Sequence, residues 1–184
     1  EINTELVLLS TRKNGYPTKL YPVMSDFNYI IAKVNINGKN YFLDAANKNL
    51  AFGTLPYKCL NKEARVMDFK KGSYWEDIIP SKNNGQRIQM LLKLNENQEF
   101  TGNMRIIHNG YSAINKRNKL NNIKKEKYIE NYEDENDFLE IFSYTNFNLN
   151  DNDKPLKEEF EISIENESTI ANKIYLNPFF IDRL

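Results

Sequence analysis

Asn37-Gly38 constrains this chain more than any other dipeptide, because it sits between two β-prone runs in the stretch FNYIIAKVNINGKNYFLDAA, Phe27 to Ala46. Both residues tolerate the positive φ angles that a two-residue type I′ turn demands. The sequence therefore predicts strands over 27–36 and 39–45, paired antiparallel. The second run ends in Asp44, directly after the apolar Tyr41-Phe42-Leu43. A carboxylate there is either held by hydrogen bonds at a strand end or kept for chemistry. Counting outward from the turn sets position 29 nearly opposite positions 44 to 46. The Tyr29 hydroxyl can then donate to Asp44; alternatively Tyr29 faces the core and Asp44 caps a turn through backbone amides.

The remaining segments fall on either side of a linker-like run, Ser81-Lys82-Asn83-Asn84-Gly85. Ahead of it, Glu5–Ser10 is a short apolar run that reads as a buried strand, broken by Asn14-Gly15 and Pro17. Residues 11–25 read as a loop carrying Tyr16, Tyr21 and Pro22 over one edge of the sheet. Phe52 and Leu55 are expected to plug the bottom of the core, and Cys59-Leu60 to pack as a small apolar pair. A strand is expected at Arg65–Phe69, with Trp75, Ile78 and Ile79 as an apolar plug before Pro80.

Beyond the linker, Arg87–Leu94 and Glu99–His108 read as a hairpin, with Ile88, Met90, Leu92 and Leu94 on one face. Gly102 inside the return strand signals a bulge or a close backbone approach. Residues 111–131 read as one helix, whose KRNK and KKEK clusters suit a solvated face. Strands are then expected over 138–149, 160–165 and 170–176. The fold class is α+β and strand-dominated, with residues 1–80 and 86–184 as two domains and one helix in the second.

Composition narrows the function. With 25 acidic and 25 basic residues, no net field recruits nucleic acid or an anionic membrane. A single cysteine excludes an intramolecular disulfide framework. No apolar run is long enough to span a membrane, and no signal peptide opens the chain. His108 lacks a second ligand in sequence and reads as a structural hydrogen-bonding group. Asp151-Asn152-Asp153 lacks the glycine and distant glutamate of a calcium loop and reads as a turn. No phosphate-binding loop, zinc-ligand pair or nucleophile elbow is present, so no cofactor or metal is expected.

Several words in the first half resemble one family. LVLLSTR (Leu6–Arg12), FNYIIA (Phe27–Ala32), FLDAA (Phe42–Ala46) and FGTLP (Phe52–Pro56) are similar to the transglutaminase-like core of bacterial envelope proteins. In those proteins the core is flanked by β-rich domains of unknown function. The resemblance implies a Cys-His-Asp triad in which Asp44 is the Asp and residues 1–80 are the C-terminal half of the core sheet. It also implies that residues 86–184 are an accessory β-rich domain, and that the protein is periplasmic or at the cell surface. Tyr29 stands where the His belongs, and the triad Cys would lie ahead of Glu1, so the chain reads as a fragment. A phenol with a pKa near 10 is a poor base for activating a thiol. The resemblance thus points to a non-catalytic piece that binds peptide, protein or glycan at the envelope. The alternative is part of a papain-like thiol peptidase, amidase or transglutaminase whose Cys lies upstream. Without the Cys-bearing helix, Leu6, Leu8, Ile30, Ala32 and Phe42 are expected to form a partly uncovered face, buried by another copy through self-association, by residues 86–184 or by missing chain.

Overall fold

The computed structural model describes residues 3–81 and 83–165, together with the backbone of 169–170 and 173–174. The chain is α+β and strand-dominated, as its sequence predicts. It divides into two compact units, Glu1–Asn83 and Asn84–Leu184.

The first unit is a five-stranded antiparallel sheet. Its strands are β1 (Thr4–Leu9), β2 (Tyr29–Ile36), β3 (Lys39–Leu43), β4 (Glu63–Asp68) and β5 (Gly72–Asp77), in the order β3-β2-β1-β4-β5. The β2–β3 hairpin closes with Ile36 opposite Lys39, and Asn37 (φ 52°) and Gly38 (φ 81°) both take the left-handed conformation. Asn35 reinforces the turn by accepting the Gly38 amide at 3.1 Å. One face of the sheet carries Val7, Leu9, Ile31, Ala64 and Val66, covered by Leu55, Cys59 and Ile78.

Register corrects the expected uncovered face. Val7 pairs with Ile31, and Lys33 pairs with Phe42. Directly opposed residues share a face, so Phe42 packs against the covered core. Leu8 is buried as well, which leaves Leu6 (39% exposed) and Ile30 (61%) as the open apolar positions. Phe52 does not plug the core: it is exposed and lies against Tyr41, ring centroids 5.1 Å apart. Tyr16 and Tyr21 likewise face solvent instead of covering the sheet edge. Trp75 is no terminal plug but a member of β5, opposite Arg65, whose guanidinium lies 5.2 Å from the indole centre.

The second unit is a four-stranded antiparallel sheet with helices against one face. The elements are β6 (Gly85–Leu94), β7 (Phe100–Asn109), α1 (Gly110–Asn121), α2 (Lys125–Asp134), β8 (Leu139–Phe147) and β9 (Leu156–Ile164), in strand order β6-β7-β9-β8. Gly102 marks a close backbone approach: a Cβ there would lie 2.0 Å from the carbonyl oxygen of Leu91. The single helix expected over 111–131 is two helices. Asn122 ends the first, its side chain donating to the Asn118 carbonyl at 2.7 Å, the backbone competition that makes Asn a poor helix interior residue. In β8 the register shifts between Ile141 and Ser143. The shift puts Ile141 and Tyr144 on the same, core-facing side and leaves Phe142 exposed. Of the strand expected over 170–176, only a short antiparallel pairing of 169–170 with 173–174 falls among the described residues; the rest lies outside them.

Candidate functional site

The β2–β3 hairpin brings Tyr29 and Asp44 together. The Tyr29 hydroxyl donates to Oδ2 of Asp44 at 2.8 Å, and Oδ1 of the same carboxylate accepts the Ala46 amide at 2.7 Å. Both sequence readings of Asp44 therefore hold at once, one for each oxygen. The phenol ring packs against the core, and the Lys58 ammonium lies over it, 4.0 Å from the centroid.

Cys59 completes the cluster from a part of the chain the sequence reading set aside. It ends the 3-10 turn Tyr57–Cys59, is buried, and is close enough to feel the Asp44 charge. Burial pushes its thiol up to about 11, with Asp44 adding to the shift and Lys58 opposing it. Burial, the bond to Asp44 and that carboxylate's charge push the Tyr29 phenol up to about 12. At neutral pH Cys59 is thus a thiol and Tyr29 a phenol. A nucleophile needs the thiolate, and burial with the Asp44 charge outweighs the opposing Lys58 and keeps the proton on the sulfur. The Tyr29–Asp44 bond joins the start of β2 to the end of β3.

A groove of about 510 Å³ runs past Asp44. Leu6, Ile30, Ala32, Leu43 and Phe52 give it an apolar lining with the single carboxylate at its side. Ile30 and Phe52 are both more than half exposed, so the lining is open to solvent.

The second unit holds a polar cluster that sequence reasoning missed. Glu158 is fully buried on β9 and is surrounded by donors. Tyr128 of α2 reaches its Oε2 at 2.8 Å, Tyr144 of β8 the same oxygen at 3.2 Å, and His108 of β7 its Oε1 at 3.2 Å. Lys116 of α1 stands 3.6 Å from Oε1 and donates to the Tyr128 hydroxyl at 3.0 Å. An ionised carboxylate only accepts, so Nε2 of His108 donates to it, while Nδ1 meets Ser112 at 2.9 Å. Burial by itself would raise the Glu158 pKa. The His108 hydrogen bond, the Lys116 charge and the Tyr128 bond outweigh it and hold the carboxyl below its ordinary range. His108 is thus a hydrogen-bonding group in a network joining five elements.

Beside it, the buried Arg117 donates to four carbonyls, those of Asn148, Leu149, Asp151 and Lys154. The 148–154 segment does surround a cation, and that cation is a guanidinium of the chain itself. Lys116 and Arg117, read from sequence as part of a solvated basic face, turn inward. Among the described residues no group of three or more His, Cys, Asp or Glu side chains gathers as a metal site would require. Nor is any helix there long and apolar enough to cross a membrane.

Comparison with the known protein families, with curated proteins and with solved structures finds no match. Function is therefore read from the geometry, since a fold alone does not specify one.

Proposed function

We propose that this chain is a non-catalytic binding module in which a Cys-His-Asp-like site has become a structural fastener beside a peptide-binding groove. The observation that carries this reading is the 2.8 Å bond from Tyr29 to Asp44, made by a phenol whose proton is held up to about 12. A histidine in that place would cycle a proton at neutral pH; this tyrosine keeps its own. The neighbouring Cys59 keeps its proton too, so neither half of a nucleophile–base pair is present.

The groove supports binding of an extended peptide with apolar side chains over binding of a glycan. Leu6, Ile30 and Phe52 offer dispersion and apolar burial, while sugar recognition calls for a lining rich in hydrogen-bonding groups. A role at the cell envelope follows from the resemblance of the 6–56 segment to transglutaminase-like envelope proteins.

The test is retention of the chain on an immobilised library of short peptides rich in Leu, Ile and Phe. We expect retention that Ile30→Glu abolishes, with no new peptide amines released during incubation. Release of amines would overturn the non-catalytic reading. Equal retention of the native chain and Ile30→Glu would remove the groove from the proposal.

A further inference from the structure

Four strands lie at the edges of the two main sheets, and three of them are blunted. β3 and β5 are short, at five and six residues. β8 is interrupted by the register shift between Ile141 and Ser143. Short strands and irregular register are devices that keep a sheet edge from pairing with another chain. β6 has neither. It runs for ten residues, contains no proline, and pairs with β7 position by position from Gly85 to Leu94. On its other side no strand lies among the described residues, so a row of backbone N–H and C=O groups faces outward.

The side chains of this strand suit a partner. Ile88, Met90 and Leu92 lie on the helix-covered side and are only partly buried there. Leu94 continues that row and is 44% exposed, while Leu91, on the opposite face, is 71% exposed. The only charges on the strand are Arg87 and Lys93.

We propose that β6 pairs antiparallel with β6 of a second copy, across a twofold axis at Leu91. In such a pairing the same surface comes from both copies, so when one position meets another the reverse contact follows. Side-chain alternation requires the axis to fall on a residue, because an axis between two residues would set the core-side row opposite the solvent row. An axis on Met90 would oppose Arg87 to the partner's Lys93, and like charges directly opposite repel. One on Gln89 would set Leu91 against the partner's Arg87 and Leu92 against the partner's Gln86. With the axis on Leu91, that residue meets the partner's Leu91, Met90 meets the partner's Leu92, and Ile88 meets the partner's Leu94. Both cations then face amides that can accept from them, Lys93 the partner's Gln89 and Arg87 the partner's Asn95. The strand thus answers its own pattern over 88–94, which a second copy supplies in full and an unrelated peptide does not. This edge belongs to the second unit and the Ile30 groove to the first, so each is tested by its own variants.

The test is light scattering of the full chain over a range of concentrations, joined to cysteine cross-linking. We expect two copies per particle at high concentration and one at low. Leu91→Lys sets two ammonium groups directly opposite each other and should leave single copies throughout. Its thermal transition should be kept, since Leu91 is mostly exposed. Under mild oxidation Leu91→Cys should link to its own copy, because opposed Cα atoms about 4.5–5.5 Å apart suit a disulfide. Gln89→Cys and Lys93→Cys each lie about 13 Å along the strand from their own copies, so each should stay unlinked alone and link when the two are mixed. Cys59 is buried and stays out of these reactions. Single copies at every concentration would overturn the proposal. So would a dimer that survives Leu91→Lys, or linkage of Gln89→Cys alone in place of Leu91→Cys. A dimer lost in Ile30→Glu and kept in Leu91→Lys would move the association to the first unit.

Discussion

Each unit contains a tyrosine hydroxyl donating to a carboxylate at 2.8 Å, Tyr29 to Asp44 in the first and Tyr128 to Glu158 in the second. The bond lengths are the same and the surroundings are not. Asp44 is half-buried, beside an open groove, and has one side-chain donor and one backbone amide. Glu158 is wholly buried and depends on Tyr128, Tyr144, His108 and Lys116 for all its stabilisation. Water can replace a lost partner at Asp44. At Glu158 it cannot, and a charge left without its donors in a low dielectric is costly. A hydrogen bond is worth what its loss would expose, so identical chemistry makes a replaceable latch in one unit and a structural centre in the other.

The strongest way to break the contrast is Glu158→Ala, which strands four donors and opens a cavity. We expect the second unit to lose about 3–5 kcal/mol, read as a lowered midpoint in chemical denaturation with the first unit's transition in place. Next is Tyr128→Phe, which removes one donor and should cost about 1.5–3 kcal/mol. The matched substitution Tyr29→Phe should cost no more than about 1 kcal/mol, because solvent screens and rehydrates Asp44. Equal losses from the two phenylalanine variants would show that burial is not what separates the sites.

Acid titration sharpens the comparison. The Glu158 carboxyl is held below its ordinary range in the folded chain, so the unfolded chain takes up its proton first as pH falls. Its contribution is complete above the unfolded value of about 4.3 and is lost as pH drops through the lower folded value. Denaturation midpoints of the second unit across acidic pH should show that decline, and Glu158→Gln should flatten it. A slope unchanged in Glu158→Gln would assign the acid sensitivity to other carboxyls. The smallest effect concerns Cys59, whose thiol stands at about 11. Ellman's reagent should leave it unmodified in the folded chain at neutral pH and react fully once the chain is unfolded. Rapid reaction of the native chain would restore a nucleophile to the first unit and undo the fastener reading.

The amino-acid order by itself determined the features that live within a few residues. The positive φ angles of Asn37-Gly38 fix a hairpin, and the two-residue period beyond it sets Tyr29 against Asp44 by counting alone. The chain divides between Asn83 and Asn84, inside the polar run 81–85. The glycine in β7 signalled the close approach of Leu91 because a missing side chain is visible in any sequence.

Tertiary structure alone decided which polar groups turn inward. Glu158 finds His108 across 50 residues, Tyr128 across 30 and Tyr144 across 14. Lys116 and Arg117 look like any solvated helix face until the 148–154 carbonyls and Glu158 close over them. The same holds for Phe42, covered through its register with Lys33, and for the exposed tip of the 16–24 loop. Backbone preference is local and can be read from neighbours. The desolvation of a charge or an apolar side chain depends on what packs over it, and those atoms come from distant parts of the chain.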